Sequence, residues 1–209
     1  MPRKTLKHKH KSKHHNLISI LIVITHSNCV SEIDYKCDQN SLLWAQKLEH
    51  TLHKHKYPKF HIKTLICHGV RAHGVDCNRK DKSSQVWRNT FTEGLEWLKA
   101  QPTQWYNKYI LDVHSCYPNC TMPYIMEPKG QNIIHDPKIH EKTPSEINYV
   151  IIRGKRKYGV NSILIEFTGN PKYKRLDKKF MNRLIKHISR RYHTRKQNRK
   201  QNRKQNRKF

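Results

Sequence analysis

The chain has 209 residues, 43 of them Lys or Arg against 15 Asp or Glu, for a formal net charge of +28. That length suits one domain with appendages, and the apolar content of 35% lies below the roughly 45–50% usual for globular domains. The deficit is uneven: residues 1–15 and 194–209 hold fourteen of the basic residues, no acid and no apolar period to bury, which excludes both ends from any core and leaves 16–193 as the domain.

Taken in chain order, residues 1–15 (MPRKTLKHKHKSKHH) form a disordered Lys/His arm. A His-rich tract can take up metal, but the interspersed lysines favour an electrostatic arm. LISILIVI (17–24) follows. A basic start before an apolar run also reads as a secretory signal. The run is shorter than the ~20 residues a membrane span needs and lacks a small-residue cleavage site, so a buried strand and no membrane span are expected. Further runs at 60–67 (FHIKTLIC), 108–113 (KYILDV) and 162–167 (SILIEF) share its continuous apolarity, which strands covered on both faces require.

A helical pattern follows each run. Residues 41–56 set Trp44, Leu48 and Leu52 on one face, and 83–100 do the same with Trp87, Phe91, Leu95 and Leu98. Residues 143–157 open with a capping box of Thr143, Pro144 and Glu146. Residues 176–192 carry Phe180, Leu184 and Ile188. Four strand–helix units specify an α/β fold with a mostly parallel sheet and helices on both faces. The tail, KQNR three times over, is expected to be disordered, because nothing offsets the entropy of ordering it. Like-charge runs attract polyanions, so both termini are candidate contacts for non-specific nucleic acid; solubility is the plain alternative. Six cysteines match no zinc-finger spacing, and reduced thiols in an intracellular (cytoplasmic) protein are expected.

In such a sheet, chemistry collects beyond the carboxyl ends of the strands. Those ends carry Thr25-His26-Ser27-Asn28 and Glu32; His68, Arg71, His73, Asp76, Asn78 and Arg79; Asp112 and His114; and Glu166. Two His and one carboxylate make a catalytic zinc shell with an open position for water, and His26, Glu32 and His114 supply that set. The metal would bring the water pKa to ~7 and polarise a carbonyl. Glu166 has the chemistry of the proton carrier, and Asn78 with Arg79 that of a clamp on a substrate carboxylate. The plainer readings are His26 and His114 as turn residues, Glu166 in a structural ion pair, Asp76 and Asp112 as residues that orient histidines or cap helices, and His68 and His73 as loop residues.

The order of ITHSN, HGVDCNRK, ILDVHS and ILIEFTGN along residues 17 to 190 resembles the N-formylglutamate amidohydrolase family, within the zinc exopeptidase-like fold. The resemblance implies a three-layer α/β/α domain, one divalent metal ion, zinc, and cleavage of an amide bond beside a carboxylate-bearing group. It implies His26 and His114 as ligands, Asn78 and Arg79 as the substrate-carboxylate pair with Arg71 as a second anchor, and Glu166 as general base. The carboxylate ligand departs from the pattern: Glu32 stands six residues after His26 where carboxypeptidase-type sites have three, and Asp34 or Asp38 are alternatives. The expected function is a metal-dependent hydrolase of a small carboxylate-bearing amide such as an N-acyl amino acid. The alternatives are a basic nucleic-acid-binding or packaging protein with a decayed site, and a peptidase acting on a glutamyl or cell-wall polymer.

Overall fold

The computed structural model describes residues 17–26, 40–55, 58–68, 75–116, 120–129, 131, 133–134, 139–142 and 148–205, of which 140–142 and 191–205 are described by backbone alone. Within them run β1 (Leu17–Ile24), α1 (Ser41–His53), β2 (Lys59–Ile66), α2 (Gln85–Ala100), β3 (Lys108–Ser115), β4 (Tyr124–Met126), β5 (His140–Lys142), α3 (Tyr149–Tyr158), β6 (Asn161–Phe167) and α4 (Lys174–Gln205). The arm at 1–15 lies outside the described residues.

The sheet has six strands in the order β2-β1-β3-β6-β4-β5. All neighbours are parallel except β4, which runs antiparallel to β6. Residues 18–24 of β1 are buried throughout, because this strand is paired on both edges and covered on both faces. Its alternate residues divide between two cores. Ile18, Ile20, Ile22 and Ile24 pack with Trp44, Leu48 and Leu52 of α1 and Phe180, Leu184 and Ile188 of α4. Leu21 and Val23 pack with Trp87, Phe91, Leu95 and Leu98 of α2 and Tyr149 and Val150 of α3. The result is three layers, α/β/α. β2 is an edge strand, only partly buried, and its Lys59, His61 and Lys63 give that edge the charge that discourages further pairing.

Connectivity fixes where a site can lie. From β1 the chain steps to β2 on one side, then returns across β1 to β3 on the other. Reversing the direction of travel puts α1 and α2 on opposite faces and opens a crevice between the carboxyl ends of β1 and β3.

Three expectations need correction. The capping box does not start α3: residues 143–147 are outside the described set, residue 148 is non-helical and the helix begins at Tyr149. Its first amides are satisfied from another part of the chain, Tyr149 N donating to Asn78 O (2.9 Å) and Val150 N to Asn78 Oδ1 (3.2 Å). The tail is not structureless over 194–205, where the backbone continues α4 as helix. Lys, Arg and Gln have good helix propensity, and extension from a packed helix needs no new nucleus. The thiols are not reduced among the described cysteines: Cys67 pairs with Cys77 and Cys116 with Cys120. No helix among the described residues is long and apolar enough to cross a membrane.

Candidate active site

The first disulfide has a positional consequence. Cys67 follows β2, its amide donating to Ile24 O of β1 (2.8 Å). Its bond to Cys77 therefore ties the Asp76-Cys77-Asn78-Arg79 turn to the sheet at the crevice. The turn is closed further by Asp76 N donating to Lys82 O (3.2 Å) and Arg79 N to Asp76 O (3.0 Å). Trp87 Nε1 of α2 donates to Cys77 O (3.0 Å).

Against this turn stand the two histidines. His26 lies two residues past β1 and His114 is the penultimate residue of β3; both are buried, and their ring centroids are 5.0 Å apart at an interplanar angle of 77°. His26 Nε2 is 2.7 Å from Asp76 Oδ1. The same oxygen accepts from Asn78 N (3.0 Å), while Asp76 Oδ2 is 3.2 Å from Arg79 Nε. His114 Nε2 is 3.0 Å from Thr25 Oγ1 and 3.4 Å from Asn78 Nδ2. Asp112, two residues earlier on the same strand face and fully buried, has Oδ2 3.2 Å from that nitrogen. This is ion-pair range, yet off the line a hydrogen bond needs, so Oδ2 makes no hydrogen bond.

Glu166 of β6 is the register partner of His114 and so shares its sheet face. It is buried, and Tyr124 OH of β4 donates to its Oε2 at 3.5 Å. Behind it, Asp177 in the first turn of α4 accepts from Thr168 N (3.0 Å) and Thr168 Oγ1 (2.7 Å), fixing the chain just beyond β6. Burial, only partly offset by those bonds, pushes the Asp177 carboxyl above its ordinary value.

The crevice thus brings together His26, Asn78, Arg79 and His114, with Glu166 on the next strand. Glu32 and Arg71, like Ser27, Asn28, Ser31, Asp34, Asp38 and His73, lie outside the described residues. His68 ends exposed beyond β2. Asn78 carries a structural duty in addition to any role toward substrate, since its carboxamide oxygen holds the start of α3. Tyr124 is an addition, and Thr25, a strand-end residue given no role from sequence, gains one as a neighbour of His114. Thr25 could have been found as the residue that continues β1 opposite the end of β3; Tyr124 gave no signal, because its strand is three residues long.

The chemistry of these donors matches part of a metal shell. A carboxylate beside Nε2 keeps the ring proton there and the lone pair on Nδ1, the arrangement by which proteins orient metal-binding imidazoles. His26 has it in Asp76, and Asp112 stands beside His114. A buried carboxylate oxygen without a hydrogen bond, beside an imidazole, also suits a site that gains positive charge. These residues fit a divalent cation as two of its ligands. Among the described residues no group of three His, Cys, Asp or Glu side chains is arranged to hold a metal. Asp76→Asn would remove the orienting carboxylate, and zinc affinity measured by competition with a chromogenic chelator is expected to fall about 10–100-fold, the usual effect of losing such a partner.

No family model matches the sequence, and no curated protein matches it. Among solved structures, the gene product Atu2144 from Agrobacterium tumefaciens superposes with a TM-score of 0.53 at 11% identity, over 82% of this chain and 88% of that one. At that identity the likeness shows the fold: a three-layer α/β/α domain with a mostly parallel sheet.

Proposed function

We propose that the chain is a metal-dependent hydrolase of amide bonds in small carboxylate-bearing substrates, of the kind the N-formylglutamate amidohydrolase resemblance implies. One observation carries the reading. His26 and His114, distant in sequence, meet ring to ring at 5.0 Å in the crevice where the strand order reverses, each with a buried carboxylate beside Nε2.

His26 and His114 would hold the ion, with Glu32, Asp34 or Asp38 completing the set. Zinc bound there would lower the pKa of water to ~7 and polarise the carbonyl under attack. The protein's own residues do the rest. Arg79, whose Nε stands 3.2 Å from Asp76 Oδ2, is the guanidinium a substrate carboxylate would meet. Asn78 Nδ2 faces the same crevice from beside His114, and Arg71 is a second anchor in the proposed clamp. Glu166 takes the proton from the attacking water and delivers it to the leaving nitrogen. Its place on the strand next to His114, as that residue's register partner on the same sheet face, supports this assignment.

The test is hydrolysis of N-formyl- and N-acetyl-amino acids, glutamate included, by purified protein before and after dialysis against a chelator. Activity is expected to disappear on dialysis and return with one equivalent of zinc. Hydrolysis indifferent to the chelator, or none with any carboxylate-bearing amide after zinc loading, contradicts the reading.

A further inference from the structure

Away from the crevice, on the opposite layer of the sandwich from α2 and α3, α1 and α4 enclose a groove of about 370 Å³. Its rim is basic: Lys47 and His50 from α1, Lys54 at the C-cap of α1, Lys174 and Lys178 from α4. Its floor is apolar, formed by Trp44 and Met181, both buried. Among the described residues no carboxylate lines it. Asp177 is the only acid of α4 and is turned inward, where it is fully buried and accepts two hydrogen bonds from Thr168. The nearest acid of α1, Glu49, accepts from Thr64 Oγ1 of β2 (3.0 Å).

Four ammonium groups around one concavity repel one another, and an anion would relieve them. Lys47 records this: its ammonium is held below the ordinary lysine value first by partial burial and then by the charge of Lys174, which the buried Asp177 carboxylate offsets only in part. The spacing argues for a linear polyanion over a single small one. Residues seven apart on α1 and four apart on α4 lie roughly 10 Å and 6 Å apart along their helix axes, so the cations are strung along the groove and not gathered at one point. The cationic line also extends beyond the groove. α4 carries fourteen Lys or Arg in 32 residues, a helix about 48 Å long at 1.5 Å per residue. In its last part the four-residue repeat recurs nearly once per turn, so Arg195, Arg199 and Arg203 succeed one another along the axis. The groove's tryptophan is not open to stack a base. Trp44 is buried and stacked on Phe167 (centroids 4.8 Å apart, 15° between planes), with Lys47 Nζ 4.4 Å from its ring centroid.

We propose that the groove between α1 and α4 binds the phosphodiester backbone of a nucleic acid, without regard to base sequence, independently of the hydrolase crevice.

The experiment uses the full chain and fluorescence anisotropy of labelled mixed-sequence DNA and RNA, single- and double-stranded, over a sodium chloride series. The groove variant Lys47→Gln/Lys54→Gln/Lys174→Gln/Lys178→Gln is compared with Lys99→Gln/Lys155→Gln/Arg156→Gln/Lys157→Gln, which removes the same charge from α2 and α3. The groove variant is expected to bind at least about tenfold more weakly at low salt. On duplex, its slope of log K against log salt should flatten by roughly 0.9 for each phosphate no longer neutralised, about three to four in all. The α2/α3 variant should stay near the parent. Should the fourfold groove variant melt early by circular dichroism, Lys174→Gln and Lys178→Gln singly, both exposed, should each flatten the slope by about 0.9. Equal losses in the groove and α2/α3 variants, or a parental slope in the groove variants, overturn the proposal. So does equal groove-dependent capture of polyglutamate or of phosphatidylserine vesicles, which would make the groove a general anion surface. Because the readout is binding, a failed hydrolysis assay leaves this result unaffected.

Discussion

His114→Ala is expected to leave the purified protein without stoichiometric zinc and to lower amide hydrolysis by on the order of a thousandfold or more. The magnitude follows from the several kcal/mol of charge stabilisation a metal supplies, each 1.36 kcal/mol being a factor of ten in rate. The effect is large because His114 joins three features of the crevice. It faces His26 across 5.0 Å, stands beside the fully buried Asp112, and is the register partner of Glu166. Alanine also takes from the buried Asp112 its imidazole neighbour, which is destabilising for a buried polar group. Metal content is therefore measured per folded protein, with Asp112→Asn/His114→Ala alongside. Stoichiometric zinc in the double variant would remove His114 from the ligand set.

Glu166→Gln is expected to keep the zinc and lose turnover, by about 10²–10⁴-fold, the range for losing a positioned proton carrier. Glutamine keeps the size of the side chain and can still meet Tyr124 OH, so stability should change little. Near-parental turnover would return Glu166 to a structural role. The two variants separate metal from proton transfer, since the first loses both zinc and activity and the second loses activity alone.

The long strands were legible because continuous apolarity leaves few alternatives. β1 matches 17–24, β3 and β6 begin within one residue of their expected starts, and β2 is displaced by one residue. β4 and β5 were not legible; at three residues each they are held by pairing to β6 and to one another, and such short segments carry no period. The start of α3 was misplaced because its amides are met by Asn78, which no local pattern encodes. The tail was misjudged over 194–205 because the expectation weighed burial and neglected propensity and continuity with a packed helix.

The site was legible in its positions and not in its contacts. Strand order alone sent His26 and His114 to one edge. That Asp76 would meet His26 at 2.7 Å, with Arg79 on its other oxygen, depended on a turn closed by Cys67–Cys77, and neither cysteine belongs to a recognisable spacing.

The most direct test of the central claim is zinc K-edge X-ray absorption on protein loaded with one equivalent of zinc. The account predicts a shell of nitrogen and oxygen only, with two imidazoles at about 2.0–2.1 Å and scattering that drops to one imidazole in His26→Ala. A sulfur shell at about 2.3 Å, or a spectrum unchanged by substituting either histidine, would contradict it.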